Sequence, residues 1–148
     1  MFAKVTFAAL LSVMAVPAMA AQCDVTVEAN DAMQFNTKEI VVDKTCGEFT
    51  VNLVHTGKLP KTAMGHNVVI TKTGDKQAVA TEATTAGPAN DYVKPNDDRV
   101  IAHTKLIGGG EKDAVTFKTD ALDAGGDYTF FCSFPGHWAI MTGKVVVK

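Results

Sequence analysis

The chain has 148 residues, 47% of them hydrophobic and 20% charged, with a formal net charge of −2. That length fits one domain with a single core. Weak acidity without a basic run argues against a nucleic-acid partner, and no segment beyond the N-terminal stretch is apolar for long enough to span a bilayer.

The chain opens with a short basic start, Met1-Phe2-Ala3-Lys4. Residues 5–16 are apolar apart from Thr6 and Ser12, and Ala18-Met19-Ala20 has the small-x-small form of a cleavage site. The pattern predicts a secretory signal peptide over residues 1–20, too short and wrongly flanked for a membrane span, and a folded domain over residues 21–148. Gln22 stands before Cys23, where a lipoprotein signal needs a small residue, so no lipid anchor is expected. Export implies an oxidising compartment, and three cysteines leave one unpaired. Cys23 and Cys46 lie in the N-terminal third, flanked by strand-like residues and away from any histidine, and are the expected pair. Cys132 is then a free thiol in an oxidising space, which a bound metal would protect.

Further along, Val25 and Val27 alternate with polar neighbours, and Phe49, Val51 and Leu53 alternate with Thr50, Asn52 and Val54. Residues 67–71 form an apolar run with polar ends. Val115 and Phe117 alternate with Thr116 and Lys118. Tyr128, Phe130 and Cys132 alternate with Thr129 and Phe131, and residues 145–147 close the chain. A period of two with β-branched and aromatic residues predicts strands. Glycine-rich turns at 56–57, 107–110 and 123–127 punctuate them. Residues 75–86 are alanine-rich and stop at Gly87-Pro88, which predicts one short helix. Residues 90–98 read as loop. The sum is an all-β fold: a Greek-key β-sandwich, antiparallel, with one short external helix.

The chemistry concentrates near the C-terminus, where Cys132, His137 and Met141 fall within ten residues. Cys132 ends a strand, and Pro135-Gly136 forces a tight turn that brings His137 back toward the sulfur. Thiolate, imidazole and thioether form a soft set, which with one more histidine gives the His2Cys site with weak axial Met of electron-transfer copper. Of His55, His66, His103 and His137, the best fourth ligand is His66, at the mouth of a strand in Met64-Gly65-His66-Asn67. Gly65 permits close backbone approach, so its carbonyl can face the metal. The Asn67 amide can tie the two ligand loops together through Ser133, and backbone N–H groups after Cys132, Phe134 among them, can donate to the thiolate. His55, at a strand end, is expected to be partly buried, with a titration that couples to the site. His103 is expected at the surface.

Several segments resemble the azurins, periplasmic blue copper proteins of the cupredoxin family. They are Gln34-Phe35-Asn36-Thr37, Met64-Gly65-His66-Asn67, the stretch over residues 100–108, and Phe130-Phe131-Cys132-Ser133-Phe134-Pro135-Gly136-His137. The likeness covers the whole of residues 21–148. It implies one type 1 copper held by His66, His137 and Cys132, with Met141 axial and the Gly65 carbonyl distant, and an N-terminal disulfide that matches Cys23 and Cys46. It also implies c-type cytochromes and periplasmic reductases such as nitrite reductase as partners. The chain departs from the pattern at Val68, where some azurins carry a buried Trp, and at Trp138, directly after His137.

The expected function is single-electron transfer between soluble proteins in the periplasm, by a monomer that is not an enzyme and has no membrane anchor. The expected docking surface is an apolar patch of Met33, Leu59, Met64, Phe134, Pro135, Gly136, Trp138 and Ala139 around His137. Two other classes compete. Copper storage or delivery favours exposed, Met- or His-rich sites, and a Cys132 nucleophile with His137 as base lacks any evident oxyanion or acid partner.

Overall fold

The computed structural model describes residues 20–148. The expected signal peptide, apart from Ala20, lies outside the described residues. The alternating segments form eight strands: β1 (Asp24–Ala29), β2 (Glu39–Val42), β3 (Glu48–His55), β4 (Val69–Lys72), β5 (Val100–His103), β6 (Lys112–Lys118), β7 (Tyr128–Phe131) and β8 (Thr142–Val147). They make two sheets, ordered β1-β3-β6 and β2-β8-β7-β4-β5. Strand β3 buries Phe49, Val51, Leu53 and His55 on one side, as its period of two requires. Of these, Phe49, Val51 and Leu53 meet Ile40, Ile70, Phe130 and Val145 of the other sheet in one core.

Two features depart from the sequence reading. The sandwich is mixed, because β1 runs parallel to β3 and β2 runs parallel to β8. Alternation reports which face a residue occupies but carries no information on strand direction. Strands β2 and β5, of four residues each, are not among the predicted strands.

The predicted helix forms as α2 (Lys76–Ala86), after a single helical turn α1 (Lys61–Met64) that has no periodic signature. Helix α2 buries Val79, Ala80 and Ala83. Its Val79 and Ala80 join Val69, Val93 and Phe131 in a second cluster on the outer face of the larger sheet. Strand β7 is therefore buried on both faces, which is why Phe131, at an expected outward position, is fully buried. Cys23 and Cys46 are joined, with Cα atoms 5.5 Å apart. The bridge sits where β1 and β3 begin, since Asp24 pairs with Thr50. Ala29 and His55, where the same strands end, mark the opposite end of the sandwich.

Candidate metal centre

Three donor side chains converge at that opposite end. Strands β4 and β7 pair antiparallel with Val69 opposite Phe131, so the residues just before β4 and just after β7 are neighbours. This places His66 beside Cys132. His137 returns through a turn closed by its N–H donating to the Phe134 carbonyl at 3.0 Å, with Gly136 at φ 83°. Proline at the second position and a positive-φ glycine at the third are the requirements of a type II turn. The donor atoms of His66, Cys132 and His137 all lie within 4.8 Å of one another, and all three residues are buried.

Each donor is oriented from behind. The His66 Nε2 sits 2.8 Å from the Asn30 carbonyl, to which it donates, leaving Nδ1 to face the Cys132 sulfur at 3.8 Å. The Asn30 side chain fixes its own turn by accepting from the Ala32 N–H at 2.9 Å. The His137 Nδ1 lies 3.6 Å from the sulfur. His137 is 3% exposed, and no sealed side-chain nitrogen or oxygen lacks a partner among the described residues. Its Nε2, which has no protein partner, is therefore the atom that meets water. The Phe134 ring packs against the His137 ring, centroids 4.5 Å apart and tilted by 35°.

The expected link between the ligand loops is present. Asn67 donates through Nδ2 to Ser133 Oγ at 2.8 Å and accepts the Ser133 N–H through Oδ1 at 2.8 Å. The Gly65 carbonyl stands 3.9 Å from the sulfur. Glycine is needed at this position because a Cβ would lie 2.5 Å from the Lys61 carbonyl oxygen and 3.0 Å from Leu106. Met141 is fully buried, its N–H donates to the His137 carbonyl at 2.8 Å, and its carbonyl accepts the Cys132 N–H at 3.0 Å.

The electrostatics suit a cation. Burial pushes the Cys132 thiol up to about 12, against the backbone N–H groups of Asn67 and Phe134, which donate to the sulfur. Burial lowers the His66 imidazole to about 4, partly offset by its bond to Asn30, and burial also lowers His137. Both rings are thus neutral ligands at pH 7, and a metal must displace the thiol proton. Bonds of about 2.0 Å to nitrogen and 2.3 Å to sulfur, at a trigonal angle of about 120°, separate donor atoms by about 3.7 Å. The nitrogen–sulfur gaps of 3.8 and 3.6 Å match that spacing. The residues present therefore fit a soft metal held by two imidazoles and a thiolate, the donor set of electron-transfer copper.

His55 is 1% exposed and its ring lies 4.5 Å from that of His66. It receives the Gly57 N–H on Nδ1 and bonds the Met64 carbonyl through Nε2 at 2.9 Å. His103 is exposed. Of the expected surface patch, Leu59, Pro135, Gly136 and Ala139 are exposed, while Met33, Met64 and Phe134 are half-buried. Trp138 is half-buried as well. Its ring packs with the cluster beneath α2, and the Lys76 ammonium stands 5.5 Å over it. Backbone direction separates the neighbours: His137 turns toward the sulfur and Trp138 toward the helix. Ile140, missed in the sequence, is 54% exposed and lines a groove with Met33. Asn30 was also missed, although Asn30-Asp31 after a strand is a turn signal that could have found it.

Val68, which stands where some azurins carry Trp, is fully buried in the main core. A family model described as copper binding proteins, plastocyanin/azurin family, matches residues 21–148. The azurin of Alcaligenes faecalis is 68% identical over 123 residues, covering 83% of this chain and 96% of that protein. The azurin of Pseudomonas aeruginosa is 53% identical over 148 residues, the full length of both. Among solved structures, the azurin Az-iso2 of the obligate methylotroph Methylomonas sp. strain J superposes with a TM-score of 0.83 at 48% identity, covering 86% of this chain and 99% of that one. With that site and those relatives, the chain belongs to the plastocyanin/azurin family of copper-binding proteins, as a blue copper electron-transfer protein whose His66, Cys132 and His137 cluster fits one type 1 copper.

Proposed function

We propose that the protein carries single electrons between soluble redox partners in the periplasm, after removal of residues 1–20, and that it is not an enzyme. The observation that carries this reading is the buried convergence of two imidazole nitrogens on one thiol sulfur. Copper bound there would supply a one-electron Cu(I)/Cu(II) couple, and His66, Cys132 and His137 would hold it, with Met141 and the Gly65 carbonyl as the further candidate donors. The protein's part is to hold these groups still. Asn30 anchors His66, the paired Asn67–Ser133 bonds anchor the Cys132 loop, and the Phe134 ring packed against it anchors His137. A frame that moves little keeps the cost of changing charge low.

His137 Nε2 is the route to solvent, and the surface around it is apolar: Leu59, Pro135, Gly136 and Ala139, flanked by Met33, Met64 and Phe134. An apolar patch with few charges supports weak, short-lived docking, which suits a shuttle. Partners of the c-type cytochrome and nitrite reductase kinds fit this reading. The fully buried Cys132 sulfur leaves a substrate no approach, which argues against nucleophilic catalysis. The enclosure also argues against copper delivery, because handing over the ion requires an exposed ligand set.

The test is addition of Cu(II) to the protein. An intense blue thiolate-to-copper band is expected, and it should vanish in Cys132→Ser; a colourless wild type would overturn the reading. Rapid electron self-exchange with slow copper loss is expected, whereas ready copper transfer to an acceptor would favour delivery. Leu59→Lys should slow self-exchange through like-charge repulsion across the docked pair while leaving the blue band in place.

A further inference from the structure

We propose that the turn at Asp91 and Tyr92 is a clasp that positions both ligand-bearing segments, the one that carries His66 and the loop that carries Cys132 and His137, making these two residues positioning residues for electron transfer; this rests on the copper reading above. The turn lies in the connection between α2 and β5, far in sequence from every ligand. Both residues have φ 54°. Left-handed backbone is uncommon for a bulky side chain, and two such residues in succession persist only where the surroundings impose them. Some of that imposition is local. The Asp91 N–H donates to the Pro88 carbonyl at 3.2 Å and the Tyr92 N–H to the Gly87 carbonyl at 3.0 Å.

The other anchors are not local, and each falls on a segment that builds the site. The Asp91 carbonyl accepts from Asn67 Nδ2 at 2.8 Å. That same amide carries the bonds to Ser133, so the clasp holds the residue after His66 and the residue after Cys132 through one group. The Asp91 carboxylate accepts the Leu106 N–H through Oδ1 at 2.9 Å. Leu106 precedes Ile107, which exchanges both main-chain hydrogen bonds with His66 at 3.0 and 2.9 Å. Finally, the Tyr92 ring meets Phe134 edge-on, centroids 5.3 Å apart at 72°, and Phe134 packs against His137. A turn that merely closed the α2–β5 connection would need only the two local bonds. This one commits its carbonyl to Asn67 beside His66, its carboxylate to Leu106 beside the bridge partner of His66, and its aromatic ring to Phe134, on the loop between Cys132 and His137.

The test compares wild type with Asp91→Ala and Tyr92→Ala, and with the conservative Asp91→Asn and Tyr92→Phe. Asp91→Asn keeps an Oδ1 acceptor and tolerates the left-handed backbone; Tyr92→Phe keeps the ring edge. The readouts are the reduction potential, the copper hyperfine splitting in the EPR spectrum, copper affinity, and hydrogen exchange of the Leu106 amide in copper-free protein. Both alanine variants should bind copper about tenfold more weakly, the low end for losing an outer support of a metal ligand. Both should shift the potential and the hyperfine splitting. Leu106 exchange should quicken in Asp91→Ala and stay slow in Asp91→Asn, and both conservative variants should keep wild-type spectra. Wild-type potential and hyperfine splitting in both alanine variants, even with lowered Tm, would overturn the clasp. Should Tyr92→Ala not fold, Tyr92→Leu carries the same comparison. A wild type with no blue band would instead sink the copper reading, so the two failures are distinct.

Discussion

Lowering the pH on copper-free protein isolates the energetic cost of keeping His66 neutral. Its imidazole is fully buried and its pKa is lowered from 6.5 to about 4, chiefly by burial. Between those values the unfolded chain holds a proton on His66 that the folded chain does not. The unfolded state binds more protons, so stability falls as pH falls. The contribution is fully present above about 6.5 and is lost as pH drops toward 4. At about 1.4 kcal/mol per pKa unit, the loss over that window is about 3 kcal/mol, a large part of the 5–15 kcal/mol typical of a domain. The assay is urea unfolding of copper-free protein at steps from pH 7 to pH 4, with His66→Gln as reference. The introduced amide cannot titrate but can still donate to the Asn30 carbonyl. Carboxylates contribute equally to both proteins, so the difference reports His66. Wild type should lose about 3 kcal/mol more than the variant; equal slopes would show that burial does not depress this imidazole.

Replacing both Cys23 and Cys46 with Ser opens a loop of sequence separation 23 and should cost about 3 kcal/mol in urea unfolding. The blue band should not change, because the bridge lies at the end of β1 away from the metal site. Gly65→Ala puts a Cβ 2.5 Å from the Lys61 carbonyl oxygen; strain of about 1–3 kcal/mol should lower the denaturation midpoint, and an unchanged midpoint would mean that α1 yields freely. Trp138→Ala should cost about 2 kcal/mol through lost packing on the α2 cluster while leaving the rate of electron self-exchange unchanged. A slower rate would return Trp138 to the docking surface.

Much of the site is legible in the chain because it is built from short-range chemistry. Cys132, His137 and Met141 lie on one loop, and the Pro135-Gly136 pair specifies a type II turn whatever surrounds it. Three cysteines leave one unpaired, and the distance of Cys23 and Cys46 from any histidine makes them the expected pair, with Cys132 left for the metal. Alternation assigns Phe49, Val51 and Leu53 to the core because a strand's side-chain period is two. Other features depend on register and on what packs outside a sheet, which no local pattern encodes. The pairing of Val69 with Phe131 decides that His66 meets Cys132. Helix α2 decides that Phe131 is buried and that Trp138 packs against the cluster beneath it. The Asn30 carbonyl that orients His66 and the Asp91–Tyr92 turn that grips Asn67 are main-chain features distant in sequence from the ligands they serve. Donor chemistry is thus a property of residue type and spacing. Orientation of the donors belongs to the fold, since it is set by main-chain groups whose neighbours are chosen only when the two sheets close.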